Sequence, residues 1–334
     1  MTKFLVTGGC GFIGTNLIIE ILKNPQNLVL NIDSESYASN PFLAQKYSNY
    51  QNYLHHKVDL FYSKKVAQIT NDFAPNYIIH LAAESHVDNS ILNGKKFIRT
   101  NVLGTHSLLD AAIKTYVKYE KHKKEGFKFI HISTDEVYGS LNPDQKSSIE
   151  TDAYNTSSPY SASKAASDHL VIAWWKTYKL PSIITHCSNN YGPHQHPEKL
   201  IPKIIHNLLM EKKIPLYGNG RNIRDWIHVS DHVKAILKLV KEGSVGETYN
   251  IGGLNQKSNI DIVKMLIRIH SNQKSTNEVC LDNYVEFVTD RLGHDYRYSI
   301  NCDKLLKSTD WKPQMELTKG LTETYNHYKE SYFK

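Results

Sequence analysis

The chain has 334 residues, of which 40% are hydrophobic and 22% charged, ordinary globular values that exclude a disordered or fibrous chain and allow a full core with two substructures of unequal size. Its formal net charge of +7 comes from scattered lysines (Lys23, Lys57, Lys64, Lys65, Lys118, Lys121, Lys123, Lys124) rather than an arginine-aromatic patch, which argues against a nucleic-acid partner. No apolar run approaches the ~20 residues of a membrane span, and Met1-Thr2-Lys3 runs straight into an apolar strand, so neither a membrane span nor a secretion signal is expected.

Phe4-Leu5-Val6 reads as a short strand entering Thr7-Gly8-Gly9-Cys10-Gly11-Phe12-Ile13-Gly14, after which Leu17, Ile18, Ile21 and Leu22 recur at helical spacing. The glycines Gly8, Gly11 and Gly14 therefore lie on a strand-to-helix turn, where missing side chains permit a tight turn and close approach of a pyrophosphate to the backbone. The helix start offers free N–H groups and the positive end of its dipole. Leu28 to Ile32 forms a second strand ending in Asp33, an acid about 20 residues beyond the glycines, where the hydroxyls of an adenosine ribose are gripped. No arginine follows in Ser34-Glu35-Ser36, so NAD is favoured over NADP.

His56 to Leu60 reads as a third strand that brings Asp59 and Leu60 towards an adenine, and Tyr77 to Ala83 as a fourth, with small Ala82 and Ala83 at its end. Strands alternating with helices imply an α/β fold with a doubly wound parallel sheet, an NAD-binding Rossmann fold. The segments Lys95–Tyr119 and Pro159–Tyr178 read as amphipathic helices. Their outer faces, Trp174 and Trp175 included, suit either a homodimer interface or a single-chain core.

Phe127 to Ile132 is an apolar run of strand length, followed by Ser133-Thr134-Asp135-Glu136-Val137-Tyr138-Gly139, which puts a hydroxyl and two acids at a strand's C-terminal end. Beyond it, Ser158 is a candidate helix N-cap and Pro159 a first-turn residue, placing Tyr160 and Lys164 on one helix face. A tyrosine is a poor base near neutrality, but an adjacent ammonium favours the phenolate. Two carboxyls in close quarters resist ionising together, which leaves one protonated as an acid.

After the sixth strand, Ser182 to Cys187, the chain becomes turn-rich and loses its βα alternation. The expected division is a Rossmann domain of residues 1–189 and about 226–257, with a smaller C-terminal α/β substrate-binding domain of about 190–225 and 258–334. Cys10, Cys187, Cys280 and Cys302 are far apart and read as reduced thiols of a cytoplasmic protein. Neither His55-His56 nor His194-Gln195-His196 has a second pair of ligands at a familiar spacing, so no metal is expected.

With the glycine turn, the YxxxK and the acid pair in place, the chain resembles the extended short-chain dehydrogenase/reductases and, within them, the dTDP-glucose 4,6-dehydratase family. The likeness continues in His80 to Asp88, Asn101 to Thr105, Asn189 to Pro193, Lys199 to Pro202, Tyr217 to Gly220, Arg224 to Val229, Tyr249 to Gly253 and Asp290 to Asp295. The resemblance implies that Tyr160, aided by Lys164 and Thr134, takes the proton of the sugar 4-hydroxyl while hydride leaves C4 for NAD. Glu136 then acts as base at C5, Asp135 as acid on the departing 6-hydroxyl, and the hydride returns to C6. It further implies that Ser85, Thr134, Asn190, Lys199, Leu200, Tyr217, Arg224, Asn255, Arg291 and Tyr298 hold the nucleotide sugar, although ordinary core packing is an equal reading of Tyr217 and Tyr298. Asn89, Ser34 and Leu292 stand where the family usually has arginine, lysine and proline. The substrate is dTDP-glucose or, alternatively, UDP-glucose; UDP-sugar 4-epimerases and decarboxylases share the glycines and YxxxK but lack the acid pair. A non-catalytic NAD-binding module would not need an intact YxxxK and Thr134.

Overall fold

Near-continuous apolar runs in the first, second and fourth strands, Phe4-Leu5-Val6, Leu28-Val29-Leu30 and Ile78-Ile79, bury both faces, the pattern of a parallel sheet covered on both sides. The computed structural model describes residues 1–271 and 280–332; residues 272–279 and 333–334, within the expected second domain, lie outside the described residues. The strands are β1 Thr2–Thr7, β2 Asn27–Asp33, β3 Tyr53–Lys57, β4 Tyr77–His80, β5 Lys128–Thr134, β6 Ser182–Cys187, β7 Asn189–Tyr191, β8 Ile214–Tyr217, β9 Ile223–His228, β10 Thr248–Ile251, β11 Gln256–Ser258 and β12 Val285–Val288. The principal helices are α1 Phe12–Leu22, α2 Ser63–Phe73, α3 Gly104–Tyr116, α4 Pro159–Tyr178, α5 Leu200–Leu209, α6 Val229–Glu242, α7 Asn259–His270 and α8 Leu317–Tyr332.

Seven strands form one parallel sheet in the order β10-β6-β5-β4-β1-β2-β3. Neighbouring residues go to opposite faces: Phe4, Val6, Val29, Ile79 and Ile130 pack with α1 and α6, whereas Leu5, Leu30, Ile78 and Phe129 pack with α2, α3 and α4. Each such fully buried aliphatic side chain contributes about 1.5–3 kcal/mol. The order reverses direction between β1 and β4, so their C-terminal ends open a crevice, the ligand position of doubly wound sheets. A separate cluster joins α5, α7 and α8 to Leu216, Trp226 and Val285. Small sheets β11-β9-β7 and β12-β8 accompany it.

Three elements depart from the sequence pattern. The third strand spans Tyr53–Lys57, not 56–60, because this edge strand buries only Tyr53 and needs no apolar run. The segment 95–119 is not one helix: a π-helical turn, Ile98–Leu103, interrupts it before α3 begins. Trp174 and Trp175 are half-buried rather than outward, Trp174 packing edge-on to His106 at 5.3 Å. No helix is long and apolar enough to cross a membrane.

Candidate active site

The crevice is a cleft of about 540 Å³, within the size range of small-molecule sites. At one end lies the glycine turn. Gly8 has φ +73°, and a Cβ there would stand 2.6 Å from the Ala82 nitrogen, while a Cβ on Gly14 would strike the Gly8 carbonyl. The turn thus draws β1 against the end of β4 with room for nothing but backbone. Gly11 is the N-cap of α1, and no side chain caps the helix, so its first N–H groups remain available to an anion. Asp33 is buried at the end of β2; its Oδ2 accepts from Cys10 N at 2.9 Å and its Oδ1 from Glu35 N at 2.7 Å. Burial pushes its carboxyl up from the usual range. Gly8, Gly11, Phe12, Ile13, Gly14, Asp33, Asp59, Leu60, Ala82 and Ala83 all line this end. Asp59 sits beyond β3 and pairs with Arg99 at 3.0 Å, which leaves Asp33 as the carboxylate next to the glycine turn. This cradle, with its open helix start and a buried acid, fits a dinucleotide.

At the other end, β5 delivers Thr134, Asp135 and Glu136, and α4 delivers Tyr160 and Lys164; all five line the cleft. The helix starts where the sequence places it because Ser158 and Ser161 form a reciprocal capping box with Pro159 in the first turn. Asp135 is 3% exposed, and its Oδ2 has no hydrogen-bond partner among the described residues. Burial, then the neighbouring Glu136 and Asp225, push its pKa well above the carboxylate range and make it a weaker acid. Glu136 is raised too, first by burial, but Arg291, Arg224 and Lys199 pull it back. The pair is therefore divided: burial and like charge favour the protonated form of Asp135, while nearby cations restrain the same shift in Glu136.

The tyrosine departs from expectation. Burial and the charge of Glu136 push Tyr160 well above the ordinary phenol value, with only the Thr134 hydroxyl working the other way. Lys164 Nζ donates instead to the Ile132 carbonyl at 2.8 Å, and burial lowers its own pKa. The protein's side chains alone keep Tyr160 a phenol, because the dehydration that sharpens the site also opposes a phenolate.

Ser85, Asn190 and Lys199 line the cleft beside the acid pair; Lys199 Nζ donates to the Ser85 carbonyl at 2.8 Å. Leu200, Tyr217, Arg224, Asn255, Arg291 and Tyr298 are not on its wall. Leu200 opens α5 and packs into the distal core. Tyr217 donates to Asp88 at 3.1 Å, and Arg291 stands 3.7 Å from the same carboxylate. Arg224 is buried, donates to the carbonyls of Ile223, Tyr296 and Asp295 and lies 4.3 Å over the Tyr298 ring. Tyr298 donates to Asp295, and Asn255 donates to Gly253 O at 2.7 Å. Arg224 and Arg291 nonetheless bear on Glu136 electrostatically, so the cations converge behind the acid pair.

Sequence patterns give no site role to Asn101, Gln195, His196 or Glu198: Asn101 appears only within the family likeness, and Gln195 and His196 only in a histidine run set aside as a metal site. Gln195, His196 and Glu198 line the cleft. Asn101, in the π-helical turn, accepts from Glu84 N at 2.8 Å and donates to both Glu84 O and Ser163 Oγ, tying the loop after β4 to α4. Helical interruptions of this kind occur often at functional sites, but a π turn leaves no mark in hydrophobic periodicity.

Comparison with known proteins agrees with this geometry. The family model of GDP-mannose 4,6 dehydratase matches residues 5–324. A dTDP-glucose 4,6-dehydratase of Escherichia coli is 46% identical over 337 residues, 98% of this chain and 93% of that one. The crystal structure of DesIV, a dTDP-glucose 4,6-dehydratase from Streptomyces venezuelae with NAD bound, superposes with a TM-score of 0.89 at 37% identity, over 99% of this chain and 98% of that one. One from Bacillus anthracis, in complex with NAD, gives 0.87 at 37% over 100% and 98%. A parallel sheet with its glycine cradle, an acid pair divided by burial and this likeness along nearly the whole length place the chain in the family of dTDP-glucose 4,6-dehydratases.

Proposed function

We propose that the chain converts dTDP-D-glucose to dTDP-4-keto-6-deoxy-D-glucose and water, with NAD as a recycled cofactor. The observation that carries this reading is Asp135: a buried carboxyl with one unpartnered oxygen, beside Glu136 and the cations that face it, in a cleft that ends in a glycine cradle. Gly8, Gly11, Gly14 and Asp33 would hold NAD in that cradle, where it would supply reversible hydride acceptance and, while oxidised, a positive charge that favours the phenolate of Tyr160. Tyr160, with Thr134 and Lys164, receives the proton of the 4-hydroxyl. The 4-ketone acidifies C5, Glu136 removes that proton, Asp135 protonates the departing 6-hydroxyl, which leaves as water, and Glu136 gives its proton back to C5 as hydride adds at C6. Lys199, with Arg224 and Arg291 behind it, supplies the positive charge that a diphosphate requires; Ser85 and Asn190 line the same wall. Leu200, Tyr217, Asn255 and Tyr298 are further candidates to hold the nucleotide from beyond that wall.

The division into a Rossmann domain (1–189 and about 226–257) and a nucleotide-sugar-binding domain (about 190–225 and 258–334) belongs to this reading and is supported by the separate distal core. So does a homodimer, supported by exposed Ile98, Leu103 and Tyr178 around α3 and α4; light scattering that gave a monomer would remove it. A cytoplasmic setting is supported by four free cysteines. The decisive experiment offers the purified protein dTDP-glucose and UDP-glucose separately and identifies products by mass and NMR. Loss of one water with a ketone at C4 is expected, faster from dTDP-glucose. A C4 epimer, loss of carbon dioxide or no conversion would overturn the reading, and preference for UDP-glucose would reassign the nucleobase.

A further inference from the structure

Beneath the acid pair lies a fully buried polar cluster that the chemistry above does not use. Asp168, two turns after Tyr160 on α4, accepts from Ser133 Oγ at 2.9 Å and faces His186 Nε2 on β6 at 3.1 Å. The Tyr154 hydroxyl is 3.1 Å from His186 Nε2. His131 Nε2 on β5 stands 3.1 Å from Oδ1, at an angle too poor for a directed bond, so its attraction is mainly electrostatic. One carboxylate thus joins the helix carrying Tyr160 and Lys164 to both strands that end at the reacting groups.

The proton count in this cluster is determined by Asn250. Its Nδ2 donates to the carbonyls of Ser148 and Asn301, both at 3.2 Å. Those two acceptors fix the amide orientation, because the flipped amide would set oxygen against oxygen. Asn250 Oδ1 therefore faces the Tyr138 hydroxyl at 3.0 Å and takes its only proton. The same hydroxyl is 2.7 Å from His186 Nδ1. With its proton given to Asn250, the Tyr138 oxygen can only accept there, so Nδ1 must carry hydrogen. Nε2, facing a carboxylate, must carry one as well.

We propose that His186 is a doubly protonated imidazolium that holds Asp168, and that Asp168 is a positioning residue fixing Tyr160 and Lys164 relative to Thr134, Asp135 and Glu136. The positioning half rests on the reaction proposed above; the proton count does not. The surroundings are consistent with one internal ion pair. Burial favours a neutral Asp168, but His131 and His186 outweigh it and hold the carboxyl well below its usual range, whereas burial lowers His131 to about 4 and keeps it uncharged. The other ionisable groups near the cluster are Lys164 on α4, His80 on β4 with its ring 5.2 Å from His131, His169 beside Tyr154 at 5.3 Å, and Glu150, which accepts from Asn250 N at 2.9 Å.

The test is nitrogen NMR of histidine side chains in the substrate-free, NAD-loaded protein, with His186 assigned by its absence in His186→Gln. Both nitrogens of His186 should carry protons at neutral pH. Asp168→Asn should abolish that signature and lower kcat at least about tenfold, as misplacement of reacting groups does, while leaving KM nearly unchanged. A neutral His186 in the unmodified protein overturns the proton assignment, and a normal kcat in Asp168→Asn overturns the positioning role. Tyr138→Phe gives a second reading should Asp168→Asn fail to fold: removal of the acceptor should strip the Nδ1 proton at neutral pH, and an unchanged imidazolium overturns Tyr138 as the acceptor on which the proton count rests. If the unmodified protein converts neither sugar, the proposed function falls, and the NMR result stands on its own.

Discussion

On the proposed reading, the Gly8–Gly14 end of the cleft recognises its ligand mostly through backbone N–H groups, whereas at the Thr134–Lys164 end every reacting atom of the protein belongs to a side chain. The first end is shaped by exclusion: a Cβ on Gly8 has no space, and both oxygens of Asp33 are anchored by backbone N–H groups. Nothing there needs to change protonation. The second end is shaped by dehydration, which moves Asp135, Glu136 and Tyr160 in the same direction while nearby cations restrain Glu136 alone. A cofactor held through turnover calls for a rigid, non-titrating socket; moving three protons in turn calls for groups whose acidities are spread apart. Substitutions at the two ends should therefore fail differently.

The largest effect is expected from Tyr160→Phe, which removes the group receiving the first proton and should lower kcat by about 10³–10⁴, towards the upper range for general acid-base groups. Exchange of the C5 hydrogen with heavy water should vanish as well, since no 4-ketone forms to acidify it; persistent exchange would move the base elsewhere. The acid pair comes next, at about 10²–10³ in kcat for either residue, and the two variants should separate. Glu136→Gln should abolish C5 exchange. Asp135→Asn should retain exchange but slow loss of the 6-hydroxyl. Identical exchange behaviour in both would dissolve the division of labour.

The socket gives a smaller and more graded effect. Gly8→Ala combines a left-handed backbone with a collision at Ala82, strain of about 1–3 kcal/mol, and should purify largely free of cofactor. Gly11 lies at extended φ, where an added Cβ would meet the Gly8 carbonyl at 3.2 Å and the neighbour need yield only slightly. Gly11→Ala should keep most of its cofactor. Equal retention in the two, read from the nucleotide released on denaturation, would mean that the turn is not the anchor.

These contrasts also show why the two ends differed in legibility. The β1-turn-α1-β2 unit and the start of α4 follow from neighbours in sequence: glycines at a strand end, Ser158 capping Ser161, Pro159 in the first turn. Asp135, Glu136, Tyr160 and Lys164 could be placed together because each sits at the end of such a local unit. The direction of Tyr160 could not be foreseen, since spacing brings Lys164 near but says nothing of burial or of where the ammonium points. Arg224 looked like a free phosphate fork, yet it is bonded to carbonyls of Tyr296 and Asp295, more than 70 residues away in sequence. The early register of β3 was hidden by an edge strand's tolerance for polar residues. Long-range packing decided each of these, and periodicity carries no record of it.

The smallest effect separates stability from catalysis at one atom. Asp135 has a folded pKa above the unfolded value of about 3.9, so over the interval between them the folded protein binds more protons than the unfolded chain, and stability falls as pH rises through it. Asparagine does not titrate and keeps a similar shape. Asp135→Asn should therefore match the unmodified protein in acid and exceed it near neutrality, by about 1–2 kcal/mol, the usual gain on relieving a strained functional group. Asp168 has the opposite sign: its folded pKa is depressed, so its stabilisation is complete above the unfolded value and fades as pH falls below it. Tm measured against pH for Asp135→Asn, with NAD held saturating, decides the matter. A gap that does not widen from acid to neutral pH would mean that Asp135 is not held protonated by burial, and the acid in the elimination would have to be sought elsewhere.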